Sequence, residues 1–256
     1  MNILLMDIGN TRTKWAFVDP SIPFDISMPM NIQACDTKGL PHALDFFKHP
    51  ISTIVYSSVI GNDLTKSIQS TLAKNHPSAT WHQILGDSAL KLVSNPYKKP
   101  EQLGADRRAL VIACALGFPT KKILAISSGT TLTIDLIDSG SHIGGIIAPG
   151  SRLMSESLQR GTAALPMTDS QNDSEFTFGT STDEAICNGI KASQVGAART
   201  AVEWAQKEVG PIDAIILDGG DATHLSSGLQ DHYPCTIIPG LVLKGLLAWY
   251  RSELND

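Results

Sequence analysis

Several features of common protein classes are missing from this chain of 256 residues. Its lysines and arginines form no run longer than a pair, and its formal net charge is -5. Because proteins bind the nucleic-acid backbone mainly through clustered basic side chains, we expect no nucleic-acid partner. The basic pairs Lys98-Lys99, Arg107-Arg108 and Lys121-Lys122 are typical of solvated surface.

Cysteine motifs and long apolar runs are missing too. The four cysteines, at positions 35, 114, 187 and 235, form no CxxC pair, so we expect free buried thiols and no zinc or redox site. No stretch approaches the roughly 20 apolar residues that a membrane helix needs. The chain opens on a short apolar run without a basic leader, which favours a strand over a signal peptide. We therefore expect a cytoplasmic protein with no membrane partner.

The remaining pattern is that of an α/β protein in which polar turns follow short apolar strands. The apolar residues 3–6 run into a polar turn at 7–11, and a second strand follows at 14–18. The same pattern restarts with an apolar run at 122–126, a polar turn at 127–131 and a strand at 132–137. This repetition predicts two lobes of one topology, which we place at residues 1–115 and 116–256.

The intervening segments alternate between helical and extended patterns. The sequence predicts helices at 42–48, 63–75, 102–116, 154–160, 183–207 and 241–254, and further strands at 52–58, 142–148 and 213–217. The polar, acidic segment from Thr168 to Thr177 is typical of a mobile loop.

The first polar turn, Asp7-Ile8-Gly9-Asn10-Thr11 with Lys14, suits a phosphate site. A carboxylate at a strand end can hold Mg2+, glycine lets the backbone approach a phosphate, and the following polar side chains can donate to its oxygens. A hairpin closed by an Asx-turn explains the same residues equally well. The motif GxxxxGK[ST] is missing, which argues against a P-loop NTPase.

Other turns extend this hypothesis. Gly129-Thr130-Thr131 mirrors the first turn in the second lobe, and the glycine-rich turns at 144–150 and 218–220 permit close backbone approach. In Leu103-Gly104-Ala105-Asp106-Arg107, Asp106 has two interpretations, a helix N-cap or a base that accepts a hydroxyl proton. Arg107 beside it suits a substrate carboxylate.

Taken in order, these motifs resemble those of one family. The matching segments are MDIGNTRTKWAFVD, NPYKKPEQLGADRRAL, SSGTTLTIDLI, GGIIAPGSRLMSESLQRGTAALP, STDEAICNGI, DGGDATHL and IPGLVLKGLLAWY, which span almost the whole chain. They resemble the type III pantothenate kinases, a branch of the actin-like ATPase superfamily that also includes sugar and acetate kinases.

The resemblance implies an α/β fold of two ribonuclease H-like lobes, each a mixed five-stranded sheet with flanking helices, and a cleft between them. It implies phosphorylation of pantothenate by ATP and Mg2+ to 4'-phosphopantothenate, the first step of coenzyme A biosynthesis, in a homodimer whose interface completes the pantothenate pocket. Asp106 would be the general base and Asp7 the metal ligand. The implied nucleotide-binding residues are Asp7, Ile8, Gly9, Asn10, Thr11, Arg12, Thr13, Lys14 and Thr130. The implied pantothenate-binding residues are Tyr97, Gly104, Ala105, Asp106, Arg107 and Thr182.

One departure from the family pattern concerns a monovalent cation. Many members carry an Asp, three residues before the threonine of the second phosphate loop, that binds K+ or NH4+, whereas this chain has Ser127. Two other functions stay open. One is a kinase of the same fold that acts on a sugar or acetate, and the other is a non-catalytic accessory factor in transcription. The retained Asp7, Lys14, Asp106 and Arg107 argue against the second.

Overall fold

The structure, a computed structural model, describes residues 2–19, 21–40, 50–89, 93–168 and 177–254. The helix expected at 42–48 lies outside these residues, as does the interior of the expected loop at 168–177. The chain divides into two compact units. The first comprises Met1–Pro119, Gly140–His142 and Gly240–Asp256, and the second comprises Thr120–Ser139 and Ile143–Pro239. The lobe boundary at residue 115 stays a prediction.

The first unit is built on a mixed five-stranded sheet in the order β3-β2-β1-β4-β5. Its strands are β1 (Asn2–Ile8), β2 (Arg12–Val18), β3 (Gln33–Asp36), β4 (Ile51–Ser58) and β5 (Thr80–Gln83). Its described helices are α1 (Asn62–Asn75), α2 (Ala105–Gly117) and α6 (Leu241–Leu254), with short 3-10 turns at Thr37–Gly39 and Pro100–Gln102. The central strand β1 pairs antiparallel with β2 and parallel with β4.

Apolar burial explains this arrangement. Leu4, Met6 and Ile8 alternate on one face of β1 and pack with Ile68 and Leu72 of α1. Strand β1 is buried on both faces, so its sequence is a continuous apolar run rather than an alternating one. On the other side of the unit, α2 packs along α6.

The second unit repeats this sheet, in the order β10-β9-β6-β7-β8. Its strands are β6 (Lys122–Ser128), β7 (Thr131–Asp138), β8 (Ser141–Pro149), β9 (Ala214–Gly219) and β10 (Cys235–Ile237), and its helices are α3 (Ser151–Gly161), α4 (Thr182–Val209) and α5 (Ala222–Leu229). Strand β6 pairs antiparallel with β7 and parallel with β9, as β1 does with β2 and β4. The two sheets thus have one topology, and the predicted fold class of two mixed five-stranded sheets with flanking helices is confirmed.

One expectation about the surface is wrong. The pair Arg107-Arg108 is not solvated, because the two residues are only 5% and 2% exposed. Both lie in the first turn of α2, whose remaining residues are almost all buried. Their long apolar stems and hydrogen-bonded guanidinium groups make this burial possible.

Candidate active site

The first polar turn connects β1 to β2 and holds Asp7 at the end of β1. Asp7 lies beside Lys14 in the antiparallel register and beside Ser57 in the parallel one. The Ser57 hydroxyl donates to the Asp7 carboxylate at 3.1 Å. A backbone hydrogen bond from Gly9 N–H to the Arg12 carbonyl, 3.2 Å, closes the turn. The side chains of Asp7 and Lys14 therefore lie at the same end of the sheet.

Thr37, which the sequence did not single out, supports this turn from the neighbouring 3-10 segment. Its hydroxyl donates to the Gly9 carbonyl at 2.7 Å, and its backbone N–H donates to the Thr11 carbonyl at 3.1 Å. The hydroxyls of Thr13 and Thr37 lie 3.0 Å apart and are buried. Thr37 thus contacts two backbone carbonyls of the loop, those of Gly9 and Thr11, and the side-chain hydroxyl of Thr13.

The turn residues differ in their access to a ligand. Asn10 and Arg12 are exposed, whereas Asp7, Gly9, Thr11 and Lys14 are partly exposed. Ile8 and Thr13 are buried, at 2% and 0% exposure. The side chains of the accessible residues can reach a triphosphate, while those of Ile8 and Thr13 pack inside the unit.

A second group of predicted residues meets at the start of α2. The helix begins at Ala105 after Gly104, and Asp106 occupies its first turn, where the helix dipole stabilises a carboxylate. The Asp106 carboxylate accepts a hydrogen bond from its neighbour's backbone N–H, that of Arg107, at 2.8 Å. Asp106 is partly exposed, so its side chain is accessible from solvent.

Arg107 and Tyr97 form one contact. The Arg107 guanidinium donates to the Tyr97 hydroxyl at 2.8 Å and lies 5.8 Å from the centre of its ring, within the range of a cation-π interaction. The other neighbour of that ring is His142, stacked at 6.3 Å with an interplanar angle of 24°. The structure thus brings Tyr97 into contact with Arg107, and their role in binding pantothenate stays a prediction.

Arg108 holds the segment that carries Tyr97. Its guanidinium donates to the backbone carbonyls of Ser88, Val93 and Ser94 at 3.1, 2.8 and 3.0 Å. Burial lowers the pKa of Arg108, because desolvation disfavours the charged form. The sequence offered only a basic pair here, and no local pattern shows that the members of such a pair are buried.

The second polar turn connects β6 to β7, and Gly129 and Thr130 at its tip are exposed. Gly150 N–H donates to the Thr130 carbonyl at 3.1 Å, and the turn after β9 lies alongside, because Ser127 and Ser128 are in register with Asp218 and Gly219. The second unit contains two of the predicted site residues, and they lie in different elements. Thr130 lies in this turn, and Thr182 is the exposed first residue of α4.

Metal and membrane features can be judged for the described part of the chain. No group of three or more His, Cys, Asp or Glu side chains that could hold a metal ion occurs there. Mg2+ does not need such a group, because it binds through one or two carboxylates together with substrate phosphates and water. Among the same residues, no helix has both the length and the apolar character to cross a membrane.

Comparison with known proteins identifies the family. A sequence model of the type III pantothenate kinases matches residues 3–204. This chain belongs to that family. The type III pantothenate kinase of Janthinobacterium sp. (strain Marseille) is 35% identical over 257 residues, which cover 95% of each protein. That of Acinetobacter baylyi is 30% identical and covers 99% of this chain and 100% of the relative.

Solved structures place this pantothenate kinase chain in a broader fold group. A Baf family protein from Campylobacter jejuni is 20% identical, with a TM-score of 0.58 over 99% of this chain and 100% of that one. Acetate kinase from Entamoeba histolytica is 9% identical, with a TM-score of 0.53 and full coverage of both chains. At these identities the likeness concerns the fold alone.

Proposed function

We propose that this protein transfers the γ-phosphoryl group of ATP to the primary hydroxyl of pantothenate, which gives 4'-phosphopantothenate and ADP, the first step of coenzyme A biosynthesis. The observation that supports this most is membership of the type III pantothenate kinase family over nearly the whole chain. The geometry of Asp106, Arg107 and Tyr97 supplies the chemistry that such a substrate needs.

Phosphoryl transfer requires positioned phosphates and neutralised charge more than covalent chemistry. In this proposal Asp7 binds Mg2+ that the triphosphate brings with it. The backbone from Ile8 to Lys14 and the Lys14 ammonium hold the phosphate oxygens, and Thr130 contributes from the second turn. Bound Mg2+ would neutralise phosphate charge.

Asp106 is proposed as the general base. It accepts the proton of the pantothenate hydroxyl as that oxygen bonds to the γ-phosphorus, and the bond from this phosphorus to the bridging oxygen of ADP breaks. Asp106 lies in the first turn of α2, where the positive end of the helix dipole interacts favourably with a carboxylate.

Arg107 and Tyr97 are proposed to bind the pantothenate carboxylate. Arg107 is 5% exposed, so its charge is largely desolvated and gains more from an anionic ligand than a surface arginine would. The Tyr97 hydroxyl, which accepts from Arg107, can donate its own proton to the same ligand. The backbone at Gly104 and Ala105 and the Thr182 side chain would line the rest of the pocket.

Homodimerisation in the cytoplasm completes the proposal. The Phe178 side chain is 98% exposed and precedes Thr182 by four residues, so an apolar surface adjoins a proposed pantothenate contact. A second copy that covers Phe178 would remove this apolar surface from water. Ser127 offers no carboxylate for K+ or NH4+, so we further propose that activity depends only weakly on a monovalent cation.

A coupled assay that detects ADP tests the function. With pantothenate, ATP and Mg2+ we expect turnover, with a dominant preference over acetate and simple sugars, and with similar rates when K+ is replaced by Tris. Failure to phosphorylate pantothenate, or a preference for acetate or a sugar, would contradict the proposal. Binding of ATP without turnover of any acceptor would favour the accessory-factor hypothesis.

A further inference from the structure

A buried carboxylate connects the turn that contains Thr130 with the two turns beside it. Asp221 lies just after β9, at the start of α5, and is 9% exposed. Its Oδ2 accepts hydrogen bonds from the Ser151 hydroxyl at 2.6 Å and, more weakly, from the Ser128 hydroxyl at 3.4 Å. Its backbone N–H also donates to the Ser128 carbonyl at 3.4 Å. Ser128 ends β6 and Ser151 begins α3, so this one residue links three elements.

The backbones of these turns are in close contact. A Cβ atom on Gly219, where φ is +104°, would lie 2.0 Å from the Ser128 carbonyl oxygen. A Cβ atom on Gly150 would lie 2.1 Å from the Gly129 carbonyl oxygen. Neither position has room for a larger residue, because the backbone of each glycine packs directly against the backbone of the neighbouring strand end or loop.

The residues that bond to Asp221 are buried, whereas the tip of the turn that they support is exposed. Ser128 and Ser151 are 0% and 5% exposed, whereas Gly129 and Thr130 at the tip are exposed. A hydrogen bond from a hydroxyl to an ionised acceptor is about twice as strong as a neutral one, and burial protects it from competition by water. The polar anchor therefore lies beneath a tip that remains accessible to a ligand.

We propose that Asp221 is a positioning residue for the second phosphate loop. It does not touch the nucleotide. Through Ser128 and Ser151 it fixes Gly129 and Thr130 in the conformation that receives the phosphates of ATP, so its removal weakens ATP binding and leaves pantothenate binding intact. This inference rests on the proposed function, in which Thr130 contacts the nucleotide.

The test compares Asp221→Ala, Asp221→Asn and Ser151→Ala with Asp213→Ala. Asp213 precedes the same strand at its opposite end, where its carboxylate accepts from the Lys122 backbone N–H at 2.8 Å. Asp213→Ala thus removes a carboxylate that bonds to the same sheet far from the turns. Kd for ATP would be measured by calorimetry on the full chain, and KM for ATP and pantothenate by the coupled assay.

We expect Asp221→Ala to raise Kd and KM for ATP about tenfold or more, since a charge-assisted hydrogen bond is lost. KM for pantothenate should stay near the wild-type value. Asp221→Asn should recover part of the loss, because its amide oxygen can still accept from Ser151. Ser151→Ala should show a smaller effect of the same kind, and Asp213→Ala none.

Two outcomes would overturn the inference. One is an unchanged Kd for ATP in Asp221→Ala. If Asp221→Ala fails to fold, an unchanged Kd for ATP in both Asp221→Asn and Ser151→Ala has the same meaning. The other is an equal rise in both KM values, which would mean a general loss of structure. A wild-type protein that binds ATP but does not phosphorylate pantothenate would contradict the proposed function, while the calorimetric comparison would still decide the role of Asp221.

Discussion

Asp106 is the residue on which the proposed chemistry depends most directly. We predict that Asp106→Asn folds normally and binds ATP as the wild type does, but loses about 10²- to 10⁴-fold in kcat, because the amide cannot accept the hydroxyl proton. Asp63→Asn is a matched control, since Asp63 is an exposed acid in the first turn of α1. Steady-state kinetics with pantothenate checks both variants. Turnover of Asp106→Asn near the wild-type rate would remove Asp106 from the role of base.

Arg107 should affect binding rather than the chemical step. In Arg107→Ala we expect a higher KM for pantothenate with a smaller change in kcat, since the contact to the carboxylate is present before and during the reaction. Arg152→Ala, which removes an exposed arginine paired with Glu156, should leave both constants unchanged. An Arg107→Ala enzyme with wild-type KM for pantothenate would rule out the proposed pose.

The sequence singled out candidate site residues that lie in short turns and missed the residues that support those turns. Asp7, Asp106 and Arg107 stand in local motifs whose letters suggest their chemistry. Thr37 and Asp221 act through partners far along the chain, such as Ser128, which precedes Asp221 by 93 positions. No periodicity or local spacing encodes such contacts, so only the fold shows them.

At the scale of the element, Arg108 connects α2 to the segment before Tyr97. We predict that Arg108→Met lowers the free energy of unfolding by about 2 kcal/mol, because the buried Val93 carbonyl and the partly buried carbonyls of Ser88 and Ser94 lose their donor. It should also raise KM for pantothenate, since Tyr97 loses its support. Arg199→Met is the control, because that exposed guanidinium donates to one carbonyl, that of Gly228. Urea unfolding and kinetics test the pair, and equal stabilities of the two variants would contradict the role of Arg108.

The sequence predicted the long elements best and missed several short ones, among them the eight-residue helix α5. The buried strands β1, β4 and β6 and the helices α4 and α6 follow from clear hydrophobic patterns, with bounds within a few residues. The strands β3, β5 and β10 were missed. They contain 4, 4 and 3 residues and have no buried position, so alternation has too little length and apolar content to appear in them.

Helix α2 shows why one boundary was misplaced. The predicted helix began at residue 102, but Pro100–Gln102 forms a 3-10 turn and the backbone at Leu103 and Gly104 is extended. The true start at Ala105 places Asp106 in the first turn. The error therefore fell on the stretch whose conformation matters most for the proposed base.

For the whole molecule, two lobes of one topology were predicted from the repeated strand, turn and strand, and the two sheets of the same order confirm this. The assembly stays a prediction. We expect a dimer in solution, and we expect Phe178→Ser to shift it towards the monomer and to lower activity, since a polar side chain weakens an apolar interface. Light scattering at several protein concentrations measures this.

Ile22→Ser provides the comparison for that experiment. Ile22 is 47% exposed and belongs to the first unit, away in sequence from the segment that contains Phe178. Its replacement should leave the molar mass unchanged. A wild-type protein that remains monomeric at assay concentrations and is fully active would contradict the proposed dimer.

The first unit combines segments from both ends of the chain, so it cannot be completed until the last of them has been synthesised. Helix α6 belongs to this unit, and Leu243, Leu246 and Leu247 of that helix are wholly buried. It approaches α2 so closely that a Cβ on Gly245 would lie 1.8 Å from the Ala109 carbonyl oxygen. While a ribosome is still translating the second unit, the first therefore has an uncovered apolar surface. A chain that is truncated before α6 should therefore leave the same apolar surface uncovered and should aggregate for that reason.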